Sequence, residues 1–206
     1  MKRLIVYFIG VVILATGLTL NTKAGLGVSP IISVAYSLSE IFKLNFGDVT
    51  LVYYSLFILT EVILHHGDRK QQILDLFQLP FSIVFTRFLN LFTYLIPDYG
   101  NSTLLIRLFV LFGAIVLTGI GAATMLNTNL IPNPGDGIVK AIADTINKDI
   151  GFTKNCVDFT CLCITVVIGL TLTHSIVGVG LGTVIAMIGV GRVIALYQSI
   201  YKRIIK

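Results

Sequence analysis

Two arginines stand inside apolar runs, Arg87 in "FSIVFTRFLNLF" and Arg192 in "AMIGVGRVIALY". A guanidinium at the centre of a membrane span costs about 3 kcal/mol or more, so it needs a function or a partner. As functional groups, the two would line a polar path with positive charge. As structural groups, they would pair with a carboxylate such as Glu61, Asp75 or Asp158, or cap backbone carbonyls.

A second set of chemistry-bearing residues lies in two polar breaks. "KAGLGVSP" carries Gly25, Gly27, Ser29 and Pro30, and "NTNLIPNPGDGIVKAIAD" carries Asn129, Asn133, Pro134, Asp136 and Gly137. Ser29 with Pro30, and Asn133 with Pro134 and Asp136, read as helix starts, a small polar cap followed by proline at the first helical position. Helix N-termini present free N–H groups and positive partial charge, which suit an anion or a polar solute. Glycine lets backbone approach a ligand closely. The structural alternative is a turn that only fills space between spans.

Glu61 is the deepest carboxylate and a candidate for proton relay or ion coupling. Asp158, only four residues past Lys154, reads instead as a residue at the membrane interface, wetted by water. Cys156, Cys161 and Cys163 share one apolar run without histidine, so they read as packing residues and not as a metal site. His65 and His66 fall in a short charged loop with Asp68, Arg69 and Lys70, and His174 falls in another loop. Glycines 178, 180, 182, 189 and 191 resemble a nucleotide loop. That motif needs a preceding strand and a soluble βαβ unit, so close helix packing is the better reading. No Ser–His–Asp or paired-carboxylate arrangement stands out. The expectation is a protein that is not an enzyme and uses neither cofactor nor metal.

Positioning such residues requires a bilayer. The 206-residue chain is 55% hydrophobic and only 12% charged, with a mean hydropathy of +0.92. A soluble domain carries about 25% charged residues. The net charge of +5 comes from Lys and Arg at the ends of apolar runs. That pattern excludes a nucleic-acid face, which would combine a basic surface with stacking aromatics. The start resembles a signal peptide, but a closely similar segment recurs mid-chain.

"RLIVYFIGVVILATG" from Arg3 matches "RLFVLFGAIVLTGIG" from Arg107 at an offset of 104. The offset continues through Gly17 and Gly121, Leu26 and Leu130, Pro30 and Pro134, Glu40 and Asp144, and Gly47 and Gly151. It becomes 105 at Arg87 and Arg192, and it sets Thr165 opposite Glu61. The chain therefore reads as one integral membrane domain, 1–206, made of repeat one (1–102) and repeat two (103–206). Spans are expected at 4–20, 49–64, 73–96, 104–126, 155–173 and 182–200, with short helices at 30–43 and 135–147.

A helix from Pro30 to Phe42 would reach about 20 Å against a hydrocarbon core of about 30 Å, so each short helix is re-entrant or interfacial. With the N-terminus inside, most basic loops fall inside, Lys23 and Lys43 excepted. If the short helices crossed, the loop with Arg69 and Lys70 would move outside. Both termini are then cytoplasmic. Three spans per repeat turn the second copy upside down, a 3+3 inverted repeat of the kind found in secondary transporters.

The "GLGVSPI" and "PNPGDGI" breaks and the late "GVGLGT" run with its downstream "GR" resemble the YczE/YyaS/YitT family of bacterial integral membrane proteins. The resemblance covers nearly the whole chain. It implies a bacterial plasma-membrane location and carries over neither catalytic residues nor a substrate. The residues favour transport of a small polar or anionic solute through a pseudo-symmetric midplane site. The alternative is a non-transporting accessory or scaffold protein that binds a protein partner, or a second copy, along the face from Gly178 to Gly191.

Overall fold

The computed structural model describes residues 2–128 and 130–204. Asn129, one of the candidate residues, lies outside them. The described residues form helices joined by turns and loops and contain no strand. The helices are α1 (Lys2–Lys23), α2 (Pro30–Phe42), α3 (Phe46–Leu64), α4 (Arg69–Leu76), α5 (Gln78–Leu95), α6 (Leu104–Asn127), α7 (Pro134–Ile146), α8 (Ile150–Thr173) and α9 (Leu181–Ile204). Among the described residues, six stretches are long and apolar enough to cross a membrane: α1, α3, α4 with α5, α6, α8 and α9. The short helices α2 and α7 have 13 residues each. The protein is an all-helical, multi-pass membrane protein. Large apolar side chains such as Phe109, Phe112, Val52 and Ile63 are exposed along the spans, as a lipid-facing surface requires.

The ends of the elements follow from local chemistry. The Asn45 side chain accepts from Asp48 N–H at the start of α3. Its counterpart at offset 104, Asp149, accepts from the N–H groups of Gly151 and Phe152 at the start of α8. Both short helices begin at their proline, as expected. The Asn133 side chain, however, makes no capping bond. Its backbone carbonyl accepts from Asp136 and Gly137 N–H, which frees the amide for a tertiary contact. Lys43 and Asn147 are both left-handed, with φ of 54° and 51°. Leu44 N–H donates to Ser39 O at 3.0 Å, and Lys148 N–H to Ala143 O at 3.1 Å. These are matching 6→1 closures of α2 and α7.

The third span is broken, where one run was expected. Pro80 lacks an N–H and its ring collides with the carbonyl four residues back, on Leu76. The helix therefore ends at Leu76 and restarts at Gln78.

Contacts divide the chain into two compact units, each built from segments on both sides of residue 103. The first holds 1–30, 88–130 and 178–206; the second holds 31–87 and 131–177. In the first unit α1 packs on α6 through small residues. A Cβ built at Gly10 would meet Met125, one at Gly17 would meet Thr118, and one at Gly121 would meet Leu14. As α1 positions rise, α6 positions fall, so the two helices are antiparallel. The Gly17–Thr118 and Leu14–Gly121 contacts are the same contact exchanged by the 104 offset. In the second unit α7 packs against α3 and α8, and Gly135 meets Ile31, again its own counterpart at that offset.

Candidate functional site

In the second unit the start of α7 lies in a polar nest. Asn133 Nδ2 donates to the Tyr54 hydroxyl at 3.4 Å. Tyr54 is fully buried and stacks on Phe85 with ring centroids 5.9 Å apart. A Cβ at Gly135 would touch Ile31, so the first turns of α2 and α7 meet. Asp136 is half-buried. Enclosure raises its carboxyl above the ordinary range, and the Lys154 ammonium acts against that.

Glu61 lies against Gly137. A Cβ there would stand 2.7 and 2.9 Å from the two carboxylate oxygens and 3.0 Å from Gln78 Oε1. Gln78 Nε2 donates to Glu61 Oε2. Glu61 Oε1 and Gln78 Oε1 have no hydrogen-bond partner. The place equivalent to Glu61 and Gly137 is filled by Thr165 and Ser33, whose hydroxyls lie 2.7 Å apart. Next to Glu61, His65 Nδ1 lies 2.6 Å from Asp75 Oδ2.

The first break has a different use. Gly25 and Gly27 have positive φ of 65° and 103°. The close approach they allow is to the protein's own backbone: Gly25 against Gly100, and Gly27 against Gly180. Val28 N–H donates to Gly178 O at 2.9 Å, and Gly182 N–H to Leu26 O at 2.7 Å. Arg107, on α6, donates through Nε to Ala24 O at 3.0 Å and through Nη2 to Gly25 O. This loop is a pinned turn, with Ser29 half-buried and Pro30 buried at its end.

Neither intramembrane arginine sits deep in its unit. Arg87 pairs with Asp48 in the first turn of α3, and both side chains are more than half exposed. Asp48 was not among the carboxylates expected to partner it. Arg192 is exposed. Asp158 pairs with Lys154 at 3.5 Å. The cysteines are free, and Tyr53 Oη lies 3.3 Å from Cys161 Sγ.

The glycine run is only partly a free face. Gly180 and Gly182 meet Leu26, and Gly189 meets Ile115, whereas Gly191 is open. The first unit also holds a cavity of about 740 Å³ lined by Lys2, Arg3, Thr124, Asn127, Tyr197 and Tyr201. Sequence reasoning missed this cavity, and it missed Gln78, Tyr54 and Arg107. Gln78 had a signal, an amide two residues before a proline in an apolar run.

DUF6198, a family of unknown function, matches residues 1–199. Two curated proteins of Bacillus subtilis (strain 168) are similar. "Uncharacterized protein YyaS" is 27% identical over 203 residues, covering 96% of this chain and 92% of the relative. "Uncharacterized membrane protein YczE" is 25% identical over 158 residues, covering 76% and 70%. No solved structure matches the chain.

Proposed function

Since the chain belongs to DUF6198, whose activity is unknown, we propose from its own geometry that it transports a small polar or anionic solute as a 3+3 inverted repeat. The observation that carries this reading is the meeting of two truncated helices by their first turns, Ile31 against Gly135. Discontinuous helices with facing N-termini are how secondary transporters hold polar solutes at membrane depth. The antiparallel run of α1 and α6, and their exchanged contacts, support inversion: an isologous pairing arises when equivalent elements are related by a two-fold axis. Within the first unit, a separate cavity bearing Lys2, Arg3 and Asn127 has a lining that suits an anion and the volume of a small-molecule site. On this reading the protein resides in a bacterial plasma membrane with both termini cytoplasmic, and it performs no catalysis.

The accessory-protein reading is the weaker one, because much of its docking face is taken up by Leu26 and Ile115. The test is a thermal-shift screen of the purified chain against small anions and zwitterions, followed by uptake into liposomes. At least one compound should raise Tm, with the shift lost in Asn133→Leu and uptake lost with it. A panel without effect, together with crosslinking of a protein through Gly191, would favour the accessory role.

A further inference from the structure

Glu61 and Gln78 are each only 1% exposed. They share one hydrogen bond, from Gln78 Nε2 to Glu61 Oε2. Their remaining oxygens, Glu61 Oε1 and Gln78 Oε1, are both acceptors without a donor. Both lie within 3.0 Å of the same point above the Gly137 Cα. Buried acceptors left unpaired are costly, and a buried carboxylate without a counter-charge more so. His65, one turn beyond Glu61, is engaged with Asp75, and Lys154 on α8 is committed to Asp158.

We propose that this pair is a proton-binding site, in which a proton on Glu61 Oε1 is shared with Gln78 Oε1 and closes a two-point carboxylic acid–carboxamide pair against α7. One proton supplies the donor both oxygens lack and removes the uncompensated charge. It is taken from water and returned to water, with no other bond made or broken. A metal ion is the poorer fit, since hard cations take oxygen ligands on all sides and the α7 backbone closes one side here. Gly137 is required because a Cβ would occupy the space of the carboxyl.

The titratable groups on the elements around Glu61 are Asp48, Tyr53 and Tyr54 on α3 with His65 as its C-cap, Arg69, Lys70 and Asp75 on α4, Arg87 and Tyr94 on α5, Asp136, Lys140 and Asp144 on α7, and Lys154, Asp158 and three cysteines on α8. Of these, the His65–Asp75 pair is placed to exchange the proton with solvent. His65 is one turn beyond Glu61 with its side chain 18% exposed, and Asp75 lies just before Gln78 across the Phe77 break. The equivalent hydroxyl pair, Ser33 and Thr165, supplies its own donor and does not titrate. The titrating pair therefore occurs once in the chain's two-fold pattern, with no titrating counterpart at the 104 offset.

The role of this proton as a coupled ion rests on the transport reading; the site itself does not. The test is infrared difference spectroscopy of the full chain in lipid nanodiscs as pH is raised. A protonated-carboxyl C=O band should be present at neutral pH, vanish at alkaline pH, be absent in Glu61→Gln and move in Gln78→Leu. The Gln78 variant keeps the test open should Glu61→Gln misfold. A neutral-pH spectrum without a Glu61-dependent band overturns the proposal, as does a band that sodium chloride abolishes at constant pH. If the band behaves as expected but uptake into liposomes ignores a pH gradient, the site stands and the coupling falls.

Discussion

The α1–α6 seam predicts opposite outcomes for two glycines on one helix. At Gly121 an added Cβ would lie 2.5 Å from Leu14 N and 2.7 Å from its Cα. Comfortable contacts between carbon atoms are about 3.5–4.0 Å, so the helices must part by roughly 1 Å. Backbone atoms cannot escape by changing rotamer, and overpacking of this kind costs about 1–3 kcal/mol. Replacing glycine inside a helix returns about 1 kcal/mol of propensity. The clash wins, and Gly121→Ala should destabilise by up to about 2 kcal/mol. At Gly113 nothing lies within 4 Å of the added atom, so Gly113→Ala keeps only the propensity gain and should be stabilising. Gly17→Ala should resemble Gly121→Ala, because it meets Thr118 in the exchanged contact at 2.5 Å. The double variant should cost less than the sum, since the first substitution has already parted the helices. Thermal unfolding of the purified variants in one detergent reads all four. Equal behaviour of Gly113→Ala and Gly121→Ala, or strict additivity of Gly17→Ala with Gly121→Ala, would refute the close antiparallel seam.

Three further outcomes follow from single contacts. His65→Ala leaves the buried Asp75 carboxyl with only a 3.5 Å approach from Gln71 and should cost about 2–3 kcal/mol in chemical denaturation, as loss of a hydrogen bond to a charged group does. Arg107→Leu releases the carbonyls of Ala24 and Gly25; limited proteolysis should then cut between α1 and α2 several times faster, while the α7 loop is unaffected. Lys43→Gly and Asn147→Gly relieve left-handed backbone at matching helix ends and should each raise stability, Lys43→Gly by about 1 kcal/mol and Asn147→Gly by less, because asparagine tolerates that region.

Much of this architecture was legible in the chain. Pro30 and Pro134 marked the starts of the short helices because proline suits the first helical position and little else in a helix. The apolar runs gave six spans because the bilayer sets one minimum length for all of them. Pro80 should have announced the broken third span, but the run around it stays apolar and hides the lost hydrogen bond. The site was less legible. Glu61 was visible as a carboxyl in an apolar run, whereas its partner Gln78 is uncharged and its partner Gly137 has no side chain. Arg87 looked buried because the run around it is apolar. Its partner Asp48 sits 39 residues earlier, at the first turn of α3, where an acidic residue reads as complementing the helix dipole. Gly25 and Gly27 were visible as glycines, but only the fold shows that the approaching atoms belong to the protein.

The seam between α1 and α6 also bears on how the polypeptide is made. The surfaces that meet there lie about a hundred residues apart along the chain. Loop closure over that distance is slow compared with forming neighbouring contacts. During synthesis α1 enters the lipid long before α6 exists, with Gly10 and Gly17 facing acyl chains. Insertion and final docking are then separate events, and a ribosome stalled midway would leave an anchored hairpin-like fragment with a notch waiting for its match.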